Sequence, residues 1–408
     1  MFESITGLFD NMFFQLLGQA YDIFSLTAFL WAPIVLVYVA QKLWLDYVRL
    51  DFVHKSFEFV LLEVKLPRTI DKTPMAMELV LQAFHQAGTG NWYERWWQGK
   101  VKPWFSFEIV SIEGNVKFLI RTPSKFKKLI ESHIYAQYPD IEVVEVQDYV
   151  SLAPYLHEKN EWSLWGCEFA LTKPDPFPIK TYVDYGLDKA GTKEEFKSDP
   201  ITSIIEFLGS IGRGQQIWMQ ILVQANGARY ATPGSWFGKH DWKDEGKRLV
   251  KDLQAKSGGD AAAKPSKSDT EAIAAIERSL SKIGFDCGIR TLYLAHKEHY
   301  DPANIAGITG AFRQYSSQTL NGFRPANTTG FDYPWEDYNN YRLNKKKKKI
   351  FDAYVRRSYF YAPYKRKPFV LNSEELATIY HFPGGVAETP TFTRIESRKG
   401  EPPANLPV

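Results

Sequence analysis

Residues 23–41 (IFSLTAFLWAPIVLVYVAQ) run for nineteen positions without a charge, near the start of a chain that is polar elsewhere. A helix of that length rises about 28 Å, close to the roughly 30 Å hydrocarbon core of a bilayer. The stretch is expected to cross a membrane once, leaving a large body outside the lipid. Pro33 falls mid-stretch, a position that breaks or kinks a soluble helix but is tolerated in a span whose neighbours satisfy the freed carbonyl. A cleaved signal peptide needs a basic leader, a shorter apolar core and a small-residue cleavage site. Here the leader carries Glu3, Asp10 and Asp22 and no Lys or Arg, whereas Lys42, Arg49 and Lys55 follow the stretch. Basic residues favour the cytoplasmic side, so the N-terminus is expected outside and the body in the cytoplasm.

Residues 1–22 form a second expected membrane feature. Ile5, Leu8, Phe9, Met12, Phe13, Leu16, Leu17 and Ala20 follow the i, i+3, i+4 spacing of one helical face, opposite Thr6, Asp10, Gln15 and Gln19. This amphipathic helix lies in the interface or packs on a partner; without basic residues, partner packing is favoured.

The 408 residues allow two or three domains, and 44% hydrophobic with 24% charged residues describes a globular chain. Aromatics reach 15%, which suits sheets and partner-facing patches as well as ordinary cores. Cys167 and Cys287 are too few for a disulfide framework or a cysteine zinc site.

Beyond a juxtamembrane extension to residue 55, an α+β organisation is legible. In residues 56–150, Phe57, Phe59 and Leu61 open a period-two run, and Thr73 and Pro74 start a helix with Met77, Val80, Leu81 and Phe84 on one face. Phe105, Phe107 and Ile109 alternate, a Gly114-Asn115 turn follows, and Val116, Phe118 and Ile120 alternate in return. A helix from about Pro123 and a strand through IEVVEV complete βαββαβ, the ferredoxin-like order. Residues 155–330 repeat the plan. Trp162 to Leu171 is a strand, Asp199-Pro200 caps a helix, and Ile217, Met219, Ile221 and Val223 alternate. The next strand holds Ile289, Thr291 and Tyr293, and Asp301-Pro302 opens a helix with Ile305, Ile308 and Phe312 on one face. An insertion, 226–285, interrupts this second unit; it reads as a projecting helical hairpin around a mobile centre, KSGGDAAAKPSKSD. Residues 331–408 comprise a basic, aromatic segment, a short helix with Asn372 as cap and Glu375 three later, ended by Gly384 and Gly385, and a proline-rich tail.

No motif for chemistry emerges. The phosphate loop GxxxxGK[ST] is absent: Gly99-Lys100 is followed by Val101 and Gly238-Lys239 by His240, so neither supplies the hydroxyl that holds magnesium. His296 and His299 fall in a strand pattern, where three-residue spacing points side chains to opposite faces. There is no GxSxG elbow, leaving only a hydrolase site assembled in space. No catalytic, cofactor-binding or metal-ligating residue is assigned, and no cofactor is expected.

One stretch looks like a binding surface. Residues 341–370 hold eleven Lys or Arg against the single acid Asp352, while the whole chain carries a net charge of only +3. Lys345, Lys346, Lys347, Lys348 and Lys349 are consecutive, followed by Arg356, Arg357, Lys365, Arg366 and Lys367. Tyr354, Tyr359, Phe360, Tyr361 and Tyr364 are interleaved with them. Cations with aromatics suit single-stranded DNA, where charge tracks phosphate and rings stack on bases. Anionic lipid, an acidic protein and a solvated loop are the other readings.

The stretches FSFEIVS (105–111), IYAQYPDIEVVEVQDY (134–149), LNSEELATIYHFPG (371–384) and RIESRKGEPPANLP (394–407) resemble those of bacterial membrane-anchored type IV secretion or conjugative DNA-transfer proteins. The resemblance spans about two thirds of the chain and names no catalytic group. In many such proteins a hexameric ATPase follows the proline-rich stretch; this sequence reaches Val408 before one begins. The resemblance implies assembly at the bacterial inner membrane. The expected role is a non-enzymatic scaffold that joins a secretion-type ATPase or copies of itself.

Overall fold

The computed structural model describes residues 2–67, 70, 72–88, 90–153, 161–188, 199–227, 230–231, 239–257, 267–331 and 333–384. The middle of KSGGDAAAKPSKSD and the proline-rich tail lie outside these residues. The chain runs α1 (Phe2–Ser56), β1 (Phe59–Lys65), α2 (Pro74–Leu81), α3 (Trp92–Trp96), β2 (Trp104–Ile112), β3 (Asn115–Pro123), α4 (Lys127–Gln137), β4 (Glu142–Val146), β5 (Trp162–Leu171), α5 (Pro200–Gly209) and β6 (Gln215–Ala225). It continues through β7 (Tyr230–Ala231), β8 (Lys239–His240), α6 (Trp242–Ser257), α7 (Lys267–Ser281), β9 (Gly284–His296), α8 (Ala303–Ala311), β10 (Phe323–Ala326), α9 (Tyr341–Val355), β11 (Phe369–Asn372) and α10 (Ser373–Ile379).

Two compact units result: α1 with residues 90–101, and the remainder. In the first, α1 is one helix of 55 residues, about 82 Å long, with no break between the amphipathic helix expected over 1–22 and the span expected over 23–41. Most of the stripe expected in residues 1–22 falls outside the described side chains. From Gly18 onward the helix is long and apolar enough to cross a membrane, and its most apolar window is unburied.

The second unit is built on an antiparallel sheet ordered β10-β5-β9-β6-β2-β3-β1-β4, with β11 pairing β9 beyond the end of β5. Strands β1 to β4 are arranged β4-β1-β3-β2, and β5, β6, β9 and β10 repeat that order as β10-β5-β9-β6. The two halves join where β2 pairs β6 over Trp104↔Gln224 to Ile112↔Gln216. The stretches expected as separate domains therefore share one sheet and one compact unit. The β2–β3 turn is Glu113-Gly114, one residue earlier than expected; both have positive φ, +53° and +86°, which the two-residue hairpin turn requires.

Period-two burial divides the sheet side chains between two layers. Phe105, Phe107, Ile109, Ile217, Met219, Ile221, Ile289 and Tyr293 face a core closed by Met77, Val80, Leu81 and Phe84, by Ile130 and Ile134 of α4, and by Ile308 and Phe312. Ile201, Ile204, Ile205 and Leu208 of α5 complete it, each such fully buried aliphatic contributing about 1.5–3 kcal/mol. The other face carries Val110, Leu119, Leu164, Trp218, Leu292 and Leu294 under Ile350, Phe351 and Tyr354 of α9. Gly166 makes that approach possible: a Cβ there would lie 3.3 Å from Ile350 Cδ1.

Helix α10 is buried over its whole length and packs against α2 and α5. Asn372 and Glu375 form the expected capping box: Asn372 Oδ1 accepts from Glu375 N and Glu375 Oε2 accepts from Asn372 N, both at 2.8 Å. The helix ends at Ile379, five residues before Gly384, as Tyr380, His381 and Phe382 turn into the core. The insertion does contain paired helices, α6 on α7, but α7 does not project freely. Arg278 reaches Glu374 at 3.1 Å and Lys282 reaches Glu78 at 2.8 Å.

Candidate polyanion-binding face

The basic run is helical. One face of α9 carries Ile350, Phe351 and Tyr354 into the sheet, and this apolar seam fixes which lysines point outward. Lys345, Lys348, Lys349, Asp352 and Arg356 succeed one another at i, i+3, i+4, i+7 and i+11 and, with Pro363 and Tyr364, line a groove of about 300 Å³. A second groove of about 400 Å³ runs along the adjacent face past Tyr341, Arg342, Lys346, Phe331, Asn327 and Arg366. Among the described residues, Lys345, Lys348, Lys349, Arg356, Lys365 and Lys367 make no ion pair with a carboxylate. Lys349 Nζ lies 5.6 Å from the Tyr364 ring and Lys346 Nζ 5.2 Å from the Phe331 ring. Lys347 differs. It sits half-buried beside the apolar seam, and burial lowers its pKa.

Two residues of the expected binding set are engaged elsewhere. Arg366 is half-buried, with Nε 3.1 Å from Glu168 Oε2 and donating to Tyr364 Oη at 3.0 Å. Arg357 is turned wholly inward and is 1% exposed. The cause is the end of α9, where Ser358 N donates to Ala353 O at 3.0 Å and Arg357 N to Tyr354 O at 2.9 Å. This is a Schellman turn with Arg357, φ +49°, in the position glycine usually takes. The reversal points the guanidinium at the sheet. The interleaved rings are corrected likewise: Tyr354, Tyr359, Phe360 and Tyr364 are buried. Tyr361 Oη is held by Lys102 N at 3.2 Å and Gln224 Nε2 at 2.9 Å. These rings fill the core and its margin, so they are not available to stack on bases.

A different aromatic group stands free. Tyr333, Trp335, Tyr338 and Tyr341 lead into α9 with exposures of 53–86%, and Tyr333 stacks on Trp335 with centroids 4.8 Å apart. The signal was present in YPWEDYNNY: aromatics without any apolar periodicity have no face to bury.

Under α9, one row of the sheet is ionic. Glu168, Arg290, Gln220 and Glu108 sit in register on β5, β9, β6 and β2. Arg290 Nη2 lies 3.0 Å from Glu168 Oε1, and its Nη1 donates to Gln220 Oε1 at 3.4 Å. Gln220 Nε2 donates to Glu108 Oε1 at 3.1 Å, and Arg357 caps the row, bridging Glu108 to Asp148. Burial by itself raises the Glu108 pKa, but Arg357, Ser106 and Tyr149 outweigh it and keep the carboxyl below its ordinary range. Buried charges satisfied this way hold elements in place.

His296 and His299 come together, contrary to the alternation argument. The chain leaves β9 at His296 for a tight turn, so that a Cβ on Gly214 would lie 3.2 Å from one ring and 2.8 Å from the other. They border a cavity of about 660 Å³ with Glu113, Glu161, Arg213 and Glu298. Among the described residues no group of three or more His, Cys, Asp or Glu is placed to hold a metal.

No curated protein matches the chain significantly. Residues 51–394 match the family described as a domain of unknown function, DUF8128, so this stretch runs from the end of α1 past α10 and includes the ionic row and the basic helix. The chain belongs to the DUF8128 family.

Proposed function

We propose that this chain is a non-enzymatic, single-pass scaffold of the bacterial inner membrane, N-terminus outside and body in the cytoplasm. In this reading it serves as an accessory subunit of a type IV secretion-like or conjugative transfer apparatus. The repeated strand order is read as two ferredoxin-like halves fused edge to edge through β2 and β6. The observation that carries the reading is the fate of the interior charges: Glu168 pairs with Arg290 and Glu108 with Arg357, which reaches on to the exposed Asp148. Such a network holds α9 and the loops to the sheet, as a scaffold requires. Its partner is a secretion-type ATPase or a second copy of the chain. Full-length protein purified in detergent and mixed with a secretion-type ATPase from the same bacterium should co-elute in a stoichiometric complex or show an oligomeric mass. Separate elution with a monomeric mass overturns the proposal.

A second reading is favoured by the exposed aromatics beside the unpaired lysines. Here Lys345, Lys348 and Lys349 track the phosphates of single-stranded DNA while Trp335, Tyr338 or Tyr341 stacks on bases. Binding should weaken steeply with salt and fall on Trp335→Ala. Salt-insensitive binding, or binding unchanged by both Trp335→Ala and lysine removal, discards it.

A further inference from the structure

The segment 90–101 belongs with α1, and it exposes four aromatic side chains beside the polar Asn91, Arg95 and Gln98. Trp92, Tyr93, Trp96 and Trp97 are 62%, 58%, 40% and 55% exposed. At 100° per residue they occupy a single arc of about 140°, so a two-turn surface presents four large rings in one direction. Asn91 and Glu94 hold that turn in a capping box, both bonds 2.9 Å, and Lys100 Nζ clamps Glu94 Oε1 at 3.2 Å. Gly99 then lies against α1 itself. Its φ is +69°, and a Cβ there would come 2.5 Å from the Val48 carbonyl and 2.7 Å from Arg49 N.

Val48 lies six positions beyond Lys42, where the uncharged stretch ends. That is about 9 Å along the axis, at the outer edge of the headgroup zone that adds roughly 5–8 Å to each side of the hydrocarbon core. Trp44 and Tyr47 project from α1 just below this level, 49% and 66% exposed. Amphipathic rings of this type concentrate at that depth, with the ring in the acyl boundary and the N–H or O–H in the headgroups.

We infer that Trp92, Tyr93, Trp96 and Trp97 form, with Trp44 and Tyr47, an aromatic anchor seated in the headgroup zone where α1 leaves the bilayer. The occupant of the patch is lipid because Gly99 holds the segment against α1 at Val48 and Arg49, just beyond the end of the uncharged stretch and beside the exposed Trp44 and Tyr47. The inference rests on α1 crossing the membrane, and its test separates the two.

Full-length protein carrying Trp96→Cys is reconstituted in phosphatidylethanolamine–phosphatidylglycerol vesicles and labelled with an environment-sensitive fluorophore. The natural thiols, Cys167 and Cys287, are buried and leave the new one to react. The expected result is blue-shifted emission, quenched more by a nitroxide near the lipid headgroup than by one at the acyl-chain end, in vesicles that retain the protein at alkaline pH. Tyr93→Cys should report the same depth and guards against a local defect at Trp96. Retention with water-like emission at both positions overturns the anchor and leaves the span standing. Blue-shifted emission that no lipid nitroxide quenches means a protein covers the patch, and overturns it too. Release at alkaline pH overturns the span and the anchor together.

Discussion

Arg357 and Glu108 stand 249 positions apart in sequence and meet in the interior, Nε 3.0 Å from Oε1 and Nη2 3.2 Å from Oε2. The pair ties the turn after α9 to the central strand β2. Both side chains are out of water, 1% and 0% exposed, so each charge depends on partners inside the protein, and among the described residues Arg357 is the ion-pair partner of Glu108. Replacing Arg357 with Met leaves Glu108 charged and buried, and should destabilise the body by about 3–5 kcal/mol. Urea unfolding followed by tryptophan fluorescence measures it. Adding Glu108→Gln should recover part of the loss, whereas Arg357→Lys, which cannot bridge Glu108 and Asp148 with two forks, should recover little.

Tyr149 presents its hydroxyl 2.7 Å from Glu108 Oε2 and 2.7 Å from Tyr354 Oη. Tyr149→Phe keeps the ring against Trp218 and removes only these bonds. A loss of about 1–3 kcal/mol is expected in the same assay. An unchanged midpoint would show that the hydroxyl contributes nothing to the row.

His381 follows α10 and places Nε2 3.0 Å from Asp199 Oδ2, while Nδ1 faces Ala377 O at 2.8 Å. Burial opposes the imidazolium charge, yet Asp199 and the backbone carbonyl outweigh it and raise the pKa above the ordinary 6.5; the Asp199 carboxyl is held below its ordinary 3.8. The stabilisation from His381 is complete below 6.5 and is lost as pH rises through the raised value. That from Asp199 is complete above 3.8 and is lost as pH falls through the depressed value. Stability should therefore decline as pH rises above 6.5 through the raised His381 value. Asp199→Asn keeps an Oδ1 to cap Ile201 N, now 3.1 Å away, but should flatten that decline. Thermal melts across the pH range test it; an equally steep decline in the variant removes the pair as its cause.

On α9 the lysines should separate into two classes. Lys345→Ala, Lys348→Ala and Lys349→Ala together should leave the melting temperature unchanged. They should reduce the salt slope of single-stranded DNA binding by about 2, since each phosphate contact contributes roughly 0.7. Lys347→Met should leave binding intact and raise stability slightly, because its ammonium is already disfavoured by burial. Equal effects of Lys347 and Lys348 on binding would contradict the observed facing of the helix.

Gly99→Ala should loosen 90–101 from α1. The positive φ costs a side chain about 1 kcal/mol, and the clash with the Val48 carbonyl adds to it. Faster proteolysis between residues 90 and 101 in reconstituted protein is the expected readout, with the body still folded.

The alternation of Phe105, Phe107 and Ile109, and of Ile217, Met219, Ile221 and Val223, determined by itself that these were strands and which side chains share a core, because a period of two is local. The uncharged run of 23–41 likewise determined a helix of membrane-spanning length. The capping signals at Asp199-Pro200 and Asn372–Glu375 were equally local and legible. What the chain read alone left open was every decision made across long separations. That β2 and β6 pair, and so fuse the halves, depends on two edges meeting. Which of the clustered cations faces water was decided by the hydrophobic seam of α9 and by a left-handed residue at its end. In the sequence Arg356 and Arg357 are neighbours of the same charge; in the fold one lies on the surface and the other neutralises a buried carboxylate, because a charge can enter a core only where its partner already waits.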